Sequence, residues 1–298
     1  TASTSEAYSA LFRLLANPGD TVLAPRPSYP LFEFLAGLND VRIDFYPLFY
    51  DGLWHLDVRE LERRLGPETK AIVAVHPNNP TGSFLKKKEF YELAALARGR
   101  RIALIVDEVF SDYAFSSDPG RLATAASCTE TLVFTLSGVA KVLGLPQMKL
   151  AWMATAGPED WAGEAARRLE IILDTYLSVN TPVQNALPFW LDQRWHVQAE
   201  ILNRISENLD TLKRLSTHAG AASCLHAEGG WYAVLKLPKT RAEEAWAIEF
   251  LEKDHVYVHP GYFFDFEDEP FIVVSLLPEP HVFEEGARRI LGRADRDL

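Results

Sequence analysis

The chain has 298 residues, 48% hydrophobic and 24% charged, with a formal net charge of −11. That balance fits one large or two moderate globular domains, and an acidic chain without Lys/Arg blocks carries no footprint for nucleic acid or an anionic membrane surface. Two cysteines, Cys128 and Cys224, are too few for a disulfide framework and lack metal-ligand spacing.

The opening residues TASTSEAYSALF have neither the charge nor the apolar block of a signal peptide. Thr1 stands where an initiator methionine is expected, which suggests a processed or trimmed chain. No unbroken apolar run is long enough to span a bilayer, so the default expectation is a cytoplasmic enzyme or binding protein. SEAYSALFRLLANPGD reads as a first helix that opens with Ser5 and stops at Pro18-Gly19. Short apolar, β-branched runs follow at 21–25, 41–48, 71–75, 101–107, 131–137 and 150–157. Their near-continuous hydrophobicity predicts strands covered on both faces. Between them, residues 85–99 place Phe90, Leu93, Ala94 and Ala97 on one helical face. The βαβα order predicts an α/β fold, a three-layer, mostly parallel sheet with helices on both sides.

From about residue 195 the pattern changes. Residues 195–215 form a long amphipathic helix, with Val197, Ile201, Ile205, Leu209 and Leu212 near helical spacing. Strands are expected in GGWYAVLKLP, VYVHPG and FIVVSLL, and helices over 241–254 and 280–292. We therefore expect a large domain over 1–194 and a smaller C-terminal α+β domain over 195–298 that includes the connecting helix.

In a doubly wound sheet, ligands bind beyond the carboxyl ends of the strands. Those ends carry RPSYP after the first strand, HPNNPTG after 71–75, Asp107 at the end of 101–107, and Ser137 followed by Lys141 after 131–137. Ser3, Thr4 and Ser5 precede the first helix. An Asn, an Asp, a Lys, a Tyr and a hydroxyl cluster at adjacent strand ends suit an aromatic, phosphorylated aldehyde cofactor. A second lysine, Lys149, shares the apolar stretch of Lys141, with Pro146 breaking any single helix through both.

The ordered set TSEAY, PSYP, PNNPTG, DEVF and SGVAK…K resembles the fold-type-I, pyridoxal-phosphate-dependent aminotransferases of class I/II, over essentially the whole chain. The resemblance implies pyridoxal 5′-phosphate as cofactor and Lys141 as the lysine that forms the internal Schiff base with its aldehyde. It implies Asp107 against the pyridine nitrogen, Asn79 on the ring's 3-oxygen and Tyr29 stacked on the ring. It implies a phosphate site made of Thr4, Ser5, Ser137 and Lys149, where a helix N-terminus also favours an anion. Lys149 falls where the family usually places an arginine, and lysine supplies the charge without the bidentate fork.

The sequence departs from that pattern at three places. Phe110 stands where relatives with DEVY carry a tyrosine hydroxyl. FIVVSLL lies where the family reads Tyr-x-Arg-x-Ser, so the arginine that clamps the substrate carboxylate would fall at Val273; another cation such as Arg26, or an unusual amino donor, could make up for it. Family members also carry a segment before TSEAY, so both a fragment and a shortened homologue fit.

The activity implied is transfer of an amino group from an amino acid or amine to a 2-oxo acid. No evident arginine selects a dicarboxylic side chain, and the aromatic content leans towards an apolar or aromatic donor. A lyase, decarboxylase or racemase on the same scaffold, or a catalytically impaired homologue, are the alternatives, since fold does not fix chemistry. The family implies a homodimer with active sites at the subunit boundary. Blander readings apply elsewhere. His76, His255 and His259 read as structural or surface groups, Lys86 to Lys88 as a solvated helix start, Asp265 to Glu269 as a solvated acidic loop, and Trp231 and Tyr232 as packing of the small domain, with a substrate-facing role as the alternative.

Overall fold

The structure, a computed structural model, describes residues 1–268 and 270–296; Glu269 of the acidic loop lies outside them. The larger sheet contains β1 (Thr21–Arg26), β2 (Arg42–Tyr50), β3 (Trp54–Leu56), β4 (Thr69–Val75), β5 (Ala103–Asp107), β6 (Val133–Gly138) and β7 (Ala151–Ala156). Its spatial order is β3-β2-β1-β4-β5-β6-β7. The pairs β1/β2, β1/β4, β4/β5 and β5/β6 are parallel, and the outer pairs β2/β3 and β6/β7 are antiparallel. Strands β4 and β5 are buried at nearly every position, as their unbroken apolar runs require.

Helices pack on both faces. The set is α1 (Thr4–Leu15), α2 (Phe32–Gly37), α3 (Val58–Arg63), α4 (Lys87–Arg100), α5 (Val139–Val142) and α6 (Glu159–Asp174), followed by α7 (Thr181–His218), α8 (Glu243–Asp254) and α9 (Pro280–Arg296). Ala7, Leu11 and Phe12 of α1 and Leu169 of α6 pack against Val22, Val73, Ile105 and Phe134 on one face of the sheet. Phe90, Leu93 and Ala97 of α4 pack against Ile72, Leu104 and Val106 on the other. The smaller antiparallel sheet has β8 (Ser223–Cys224), β9 (Tyr232–Lys236), β10 (His259–Pro260) and β11 (Phe271–Ser275) in the order β10-β11-β9-β8. One face of it shares a core with Ile205, Leu209 and Leu212 of α7, Trp246 and Phe250 of α8 and Ile290 of α9.

Three expectations need correcting. The first helix starts at Thr4, not Ser5, because the Ser3 hydroxyl caps it by accepting the Glu6 N–H. The helix expected over 195–215 runs from Thr181 to His218 and carries Pro188 within it. Asn180 caps its start by accepting from Val183 N–H, so the boundary drawn at 194/195 falls inside this helix. Lys86 is not a solvated end: its Nζ donates to Asp118 at 2.9 Å and to Glu228, pinning α4 to the loop before β9. His76 is fully buried and structural, as its Nδ1 accepts from Leu85 N–H and its Nε2 donates to the Leu122 carbonyl. Burial lowers its pKa to about 4 and keeps it neutral.

Candidate active site

The order of winding reverses between the neighbouring parallel strands β1 and β4: β1 leads outward to β2 and β3 on one side, and β4 onward to β5 and β6 on the other. That is the topological switch point at which doubly wound sheets hold ligands. A cavity of about 250 Å³ opens there, lined by Thr4, Ser5, Tyr29, Asn79, Asp107, Lys141 and Lys149 together with Val109, Phe110, Gly138 and Tyr232. Seven of the eight residues singled out in the sequence thus share one cavity. Ser137 does not line it. It lies on the face of β6 that carries Val133, away from Phe134 and Leu136.

Asp107 is the most buried charge of the site, 7% exposed at the end of β5. The Tyr8 hydroxyl donates to its Oδ2 at 3.1 Å and Val109 N–H to its Oδ1 at 3.1 Å. Desolvation raises its pKa from 3.8 to about 6, against the opposing pull of these donors and of the Lys141 charge. Burial lowers the pKa of Lys141, partly offset by Asp107. No carboxylate lies within ion-pair distance of the Lys141 amine among the described residues. Its Nζ sits instead 5.2 Å from the centre of the Phe110 ring and 4.8 Å from that of Trp231.

Asn78 and Asn79 behave differently. Asn78 is saturated: its Oδ1 accepts from Ser28, and its Nδ2 donates to the Pro27 carbonyl and Thr81 Oγ1. Asn79 lines the cavity, and its buried Oδ1 has no partner. Tyr29, half-buried, faces the cavity and meets Phe32 edge-on at 5.7 Å. Its hydroxyl pairs with Ser5, and burial raises its pKa. Lys149 sits at φ 51° after a short turn over Pro146–Met148, which brings the second lysine round to the cavity that Lys141 enters from α5.

These groups fit pyridoxal phosphate. Among the described residues, an amine without an ion pair, a buried carboxylate, an amide with an orphaned oxygen, hydroxyls at the start of a helix and a cation without an ion pair are the kinds of group that would suit the aldehyde, ring nitrogen, ring oxygen and phosphate of that molecule. The clamp position does not supply a charge: Val273 is fully buried in an apolar cluster with Trp54, Val234, Phe264 and Phe271. Arg26 does not replace it in this cavity. It stacks 4.2 Å over Phe45 and pairs with Glu267 at 3.6 Å, lining a separate cavity.

Sequence reading missed Tyr8; for Trp231 and Tyr232 it favoured packing of the small domain over a role at the site, whereas Tyr232 lines the cavity and the Trp231 ring lies 4.8 Å from the Lys141 amine. Tyr8 sits one turn into α1 on its apolar face, where a tyrosine reads as core; no local signal ties it to Asp107.

Residues 1–290 match the family described as "Aminotransferase class I and II". The chain belongs to that family and is an aminotransferase. It is 25% identical over 292 residues to the glutamate-pyruvate aminotransferase AlaA of Haemophilus influenzae, covering 96% of this chain and 72% of that protein. It is 28% identical over 245 residues to nicotianamine aminotransferase 1 of rice, covering 80% of this chain and 49% of that protein. The fold agrees with the crystal structure of a tyrosine aminotransferase from Leishmania infantum, with a TM-score of 0.91 at 22% identity over 99% of this chain and 74% of the other.

Proposed function

We propose that this aminotransferase uses pyridoxal 5′-phosphate, held in the 250 Å³ cavity, to move an amino group from an amino acid or amine to a 2-oxo acid. The observation that carries the reading is that Lys141 and the buried Asp107 line the same small cavity at the switch point of the sheet. When bound, the cofactor supplies an aldehyde to take up the amino group and a ring to spread the electron pair left on the substrate carbon.

Lys141 provides the primary amine that holds the aldehyde. Its lowered pKa leaves a share of the amine unprotonated, able to attack and then to move a proton at the substrate Cα. Asp107 holds the proton on the ring nitrogen, while Tyr8 and Val109 N–H fix the carboxylate in place. Tyr29 stacks on the ring, and Asn79 turns its amide to the 3-oxygen. Thr4 and Ser5 offer hydroxyls at the start of the 12-residue α1, where the helix dipole favours an anion. Lys149 adds the neutralising charge, and Ser137 is the remaining candidate of this phosphate set.

The apolar lining, with Val109, Phe110 and Tyr232, supports a donor with an apolar or aromatic group. The proposed cofactor-binding part is residues 1–194 and the smaller part 195–298, with α7 (Thr181–His218) running across the boundary as the connecting helix. A homodimer is supported by exposed apolar side chains along α6 and α7, where Ile171, Phe189 and Trp195 are 72%, 67% and 62% exposed. Free thiols at Cys128 and Cys224 support a reducing, cytoplasmic setting.

The test is an absorbance spectrum of the purified protein with added pyridoxal phosphate, before and after a panel of amines, with both products of transfer followed. Borohydride should trap the cofactor on Lys141. A trapped adduct on any other residue, or amine consumption without an aminated acceptor, overturns the reading.

A further inference from the structure

The Lys141 amine lies against aromatic rings, with the Asp107 charge acting on it from beyond ion-pair distance. The 4.8 Å and 5.2 Å separations of its Nζ from the Trp231 and Phe110 rings lie within the range at which an ammonium is drawn to a π face. The two rings brace each other edge-to-face at 5.3 Å and 71°. Tyr113 supports Trp231 from a further side at 5.1 Å, and its hydroxyl donates to the Lys141 carbonyl at 2.6 Å. All three rings are buried, at 4%, 0% and 6% exposure for Phe110, Tyr113 and Trp231. Phe110 and Tyr113 follow β5, whereas Trp231 reaches across from the loop that leads into β9. Gly229 lets that loop approach, since a Cβ there would strike the Tyr113 carbonyl.

We propose that Phe110 and Trp231 form an aromatic cage that holds the Lys141 ammonium whenever the amine is free, with Trp231 as a positioning residue supplied by the smaller sheet. Water is excluded from the rings, so the attraction is not screened as it is at a surface. The cage favours the charged amine, as Asp107 does, while desolvation opposes both. Other groups that line the same cavity as this amine are Lys149 and the tyrosines Tyr29 and Tyr232. Burial raises the pKa of both tyrosines and of Tyr8 on Asp107, so they stay neutral near pH 7. In turnover, the cage returns the released amine to one place and limits how far its pKa falls; this consequence rests on Lys141 being the cofactor lysine.

The test reads the amine in the full, cofactor-free chain. Trace labelling with acetic anhydride across a pH series, quantified on the peptide that contains Lys141, gives its apparent pKa. Truncating Trp231 admits water and confuses the sign, so the ring is better changed in charge than in size. The protein is produced with all seven tryptophans replaced by 5-fluoro- and then 5,7-difluorotryptophan. Only Trp231 among them lies within cation–π distance of Lys141 in the described residues. Fluorine withdraws electron density from the ring face, so the pKa should fall stepwise, by on the order of half a pH unit in all. Phe110→Leu, close in volume, should lower it in the same direction. Curves that overlay unsubstituted protein in both experiments overturn the cage. Cofactor trapping on another lysine would instead defeat the assignment of Lys141 while leaving the labelling result standing.

Discussion

Asn78 and Asn79 are adjacent in the chain and belong to different regions of the molecule. Around Asn78 the protein satisfies its own polar groups: Ser28, the Pro27 carbonyl and Thr81 use both ends of the amide, and nearby His76 bonds through both ring nitrogens. This is scaffold, which locks the loop after β4 to the loop after β1. One residue on, the polar groups of the cavity wall are left open: among the described residues the Asn79 oxygen finds no partner and Lys141 no ion pair. At this pair of neighbours, the amide that ties two loops together is satisfied within the protein, whereas the amide that faces the cavity keeps unspent bonding capacity.

The largest break in that contrast comes from Lys141→Ala. If the amine belongs to the ligand region, transfer of an amino group falls at least about a thousandfold, while the melting temperature stays within a few degrees. Steady-state assay beside thermal unfolding decides it, and unchanged turnover of every amine tested would falsify the catalytic assignment. Asp107→Asn comes next, with a fall of about a hundredfold to a thousandfold in turnover. Its stability effect runs the other way. The folded pKa is raised from 3.8 to about 6, so the stabilising contribution of the protonated group is complete below 3.8 and lost as pH rises through about 6. The cofactor-free Asp107→Asn protein, with no charge to desolvate, should therefore melt a few degrees higher than the parent at pH 8. The gap should close near pH 4. A lower melting temperature at pH 8 would show that the Tyr8 and Val109 bonds matter more than the buried charge.

The scaffold was largely legible in the sequence because its signals are local. Apolar runs placed six strands of the larger sheet, and carboxyl-end residues converge wherever a parallel sheet puts its strand ends together. The open wall was legible to the extent that it sits on those ends, as Asp107, Asn79 and Lys141 do. What escaped depends on long-range packing. Tyr8 and Asp107 are 99 positions apart, and Trp231 joins Lys141 only because the smaller sheet folds back over the larger. The helix α6 and the first turns of α7 were missed because much of their apolar surface, such as Ile171 and Phe189, is exposed and does not follow the inward face. Ser137 falls outside the cavity lining because strand alternation turns its side chain to the other face of β6.

Alanine at each asparagine in turn sharpens the contrast directly. Asn78→Ala strands the Ser28 hydroxyl and the Pro27 carbonyl, and should cost roughly 2–4 kcal/mol of stability in denaturant unfolding. Asn79→Ala removes an amide with an orphaned oxygen, so stability should change by less than about 0.5 kcal/mol. Its cofactor dissociation constant, read by absorbance titration, should rise about tenfold. Equal stability losses at the two positions would erase the distinction between scaffold and open wall.

Lys149 offers the mildest test, because here the open wall carries an exposed charge. Lys149 is exposed and lines the cavity, and its backbone, at φ 51°, is set by the preceding turn and not by the amine. Lys149→Arg should therefore leave folding unchanged. A guanidinium can bond a phosphate through two parallel N–H donors where the ammonium acts as a point charge. If Thr4, Ser5 and Lys149 hold a phosphate, the arginine variant should bind pyridoxal phosphate about two- to tenfold more tightly, with no comparable gain for pyridoxal, which lacks the phosphate. The gain should shrink as salt is raised, since an exposed pair is screened. Equal gains for both compounds would mean that the lysine faces some other part of the ligand, and the phosphate end of the cavity would have to be redrawn.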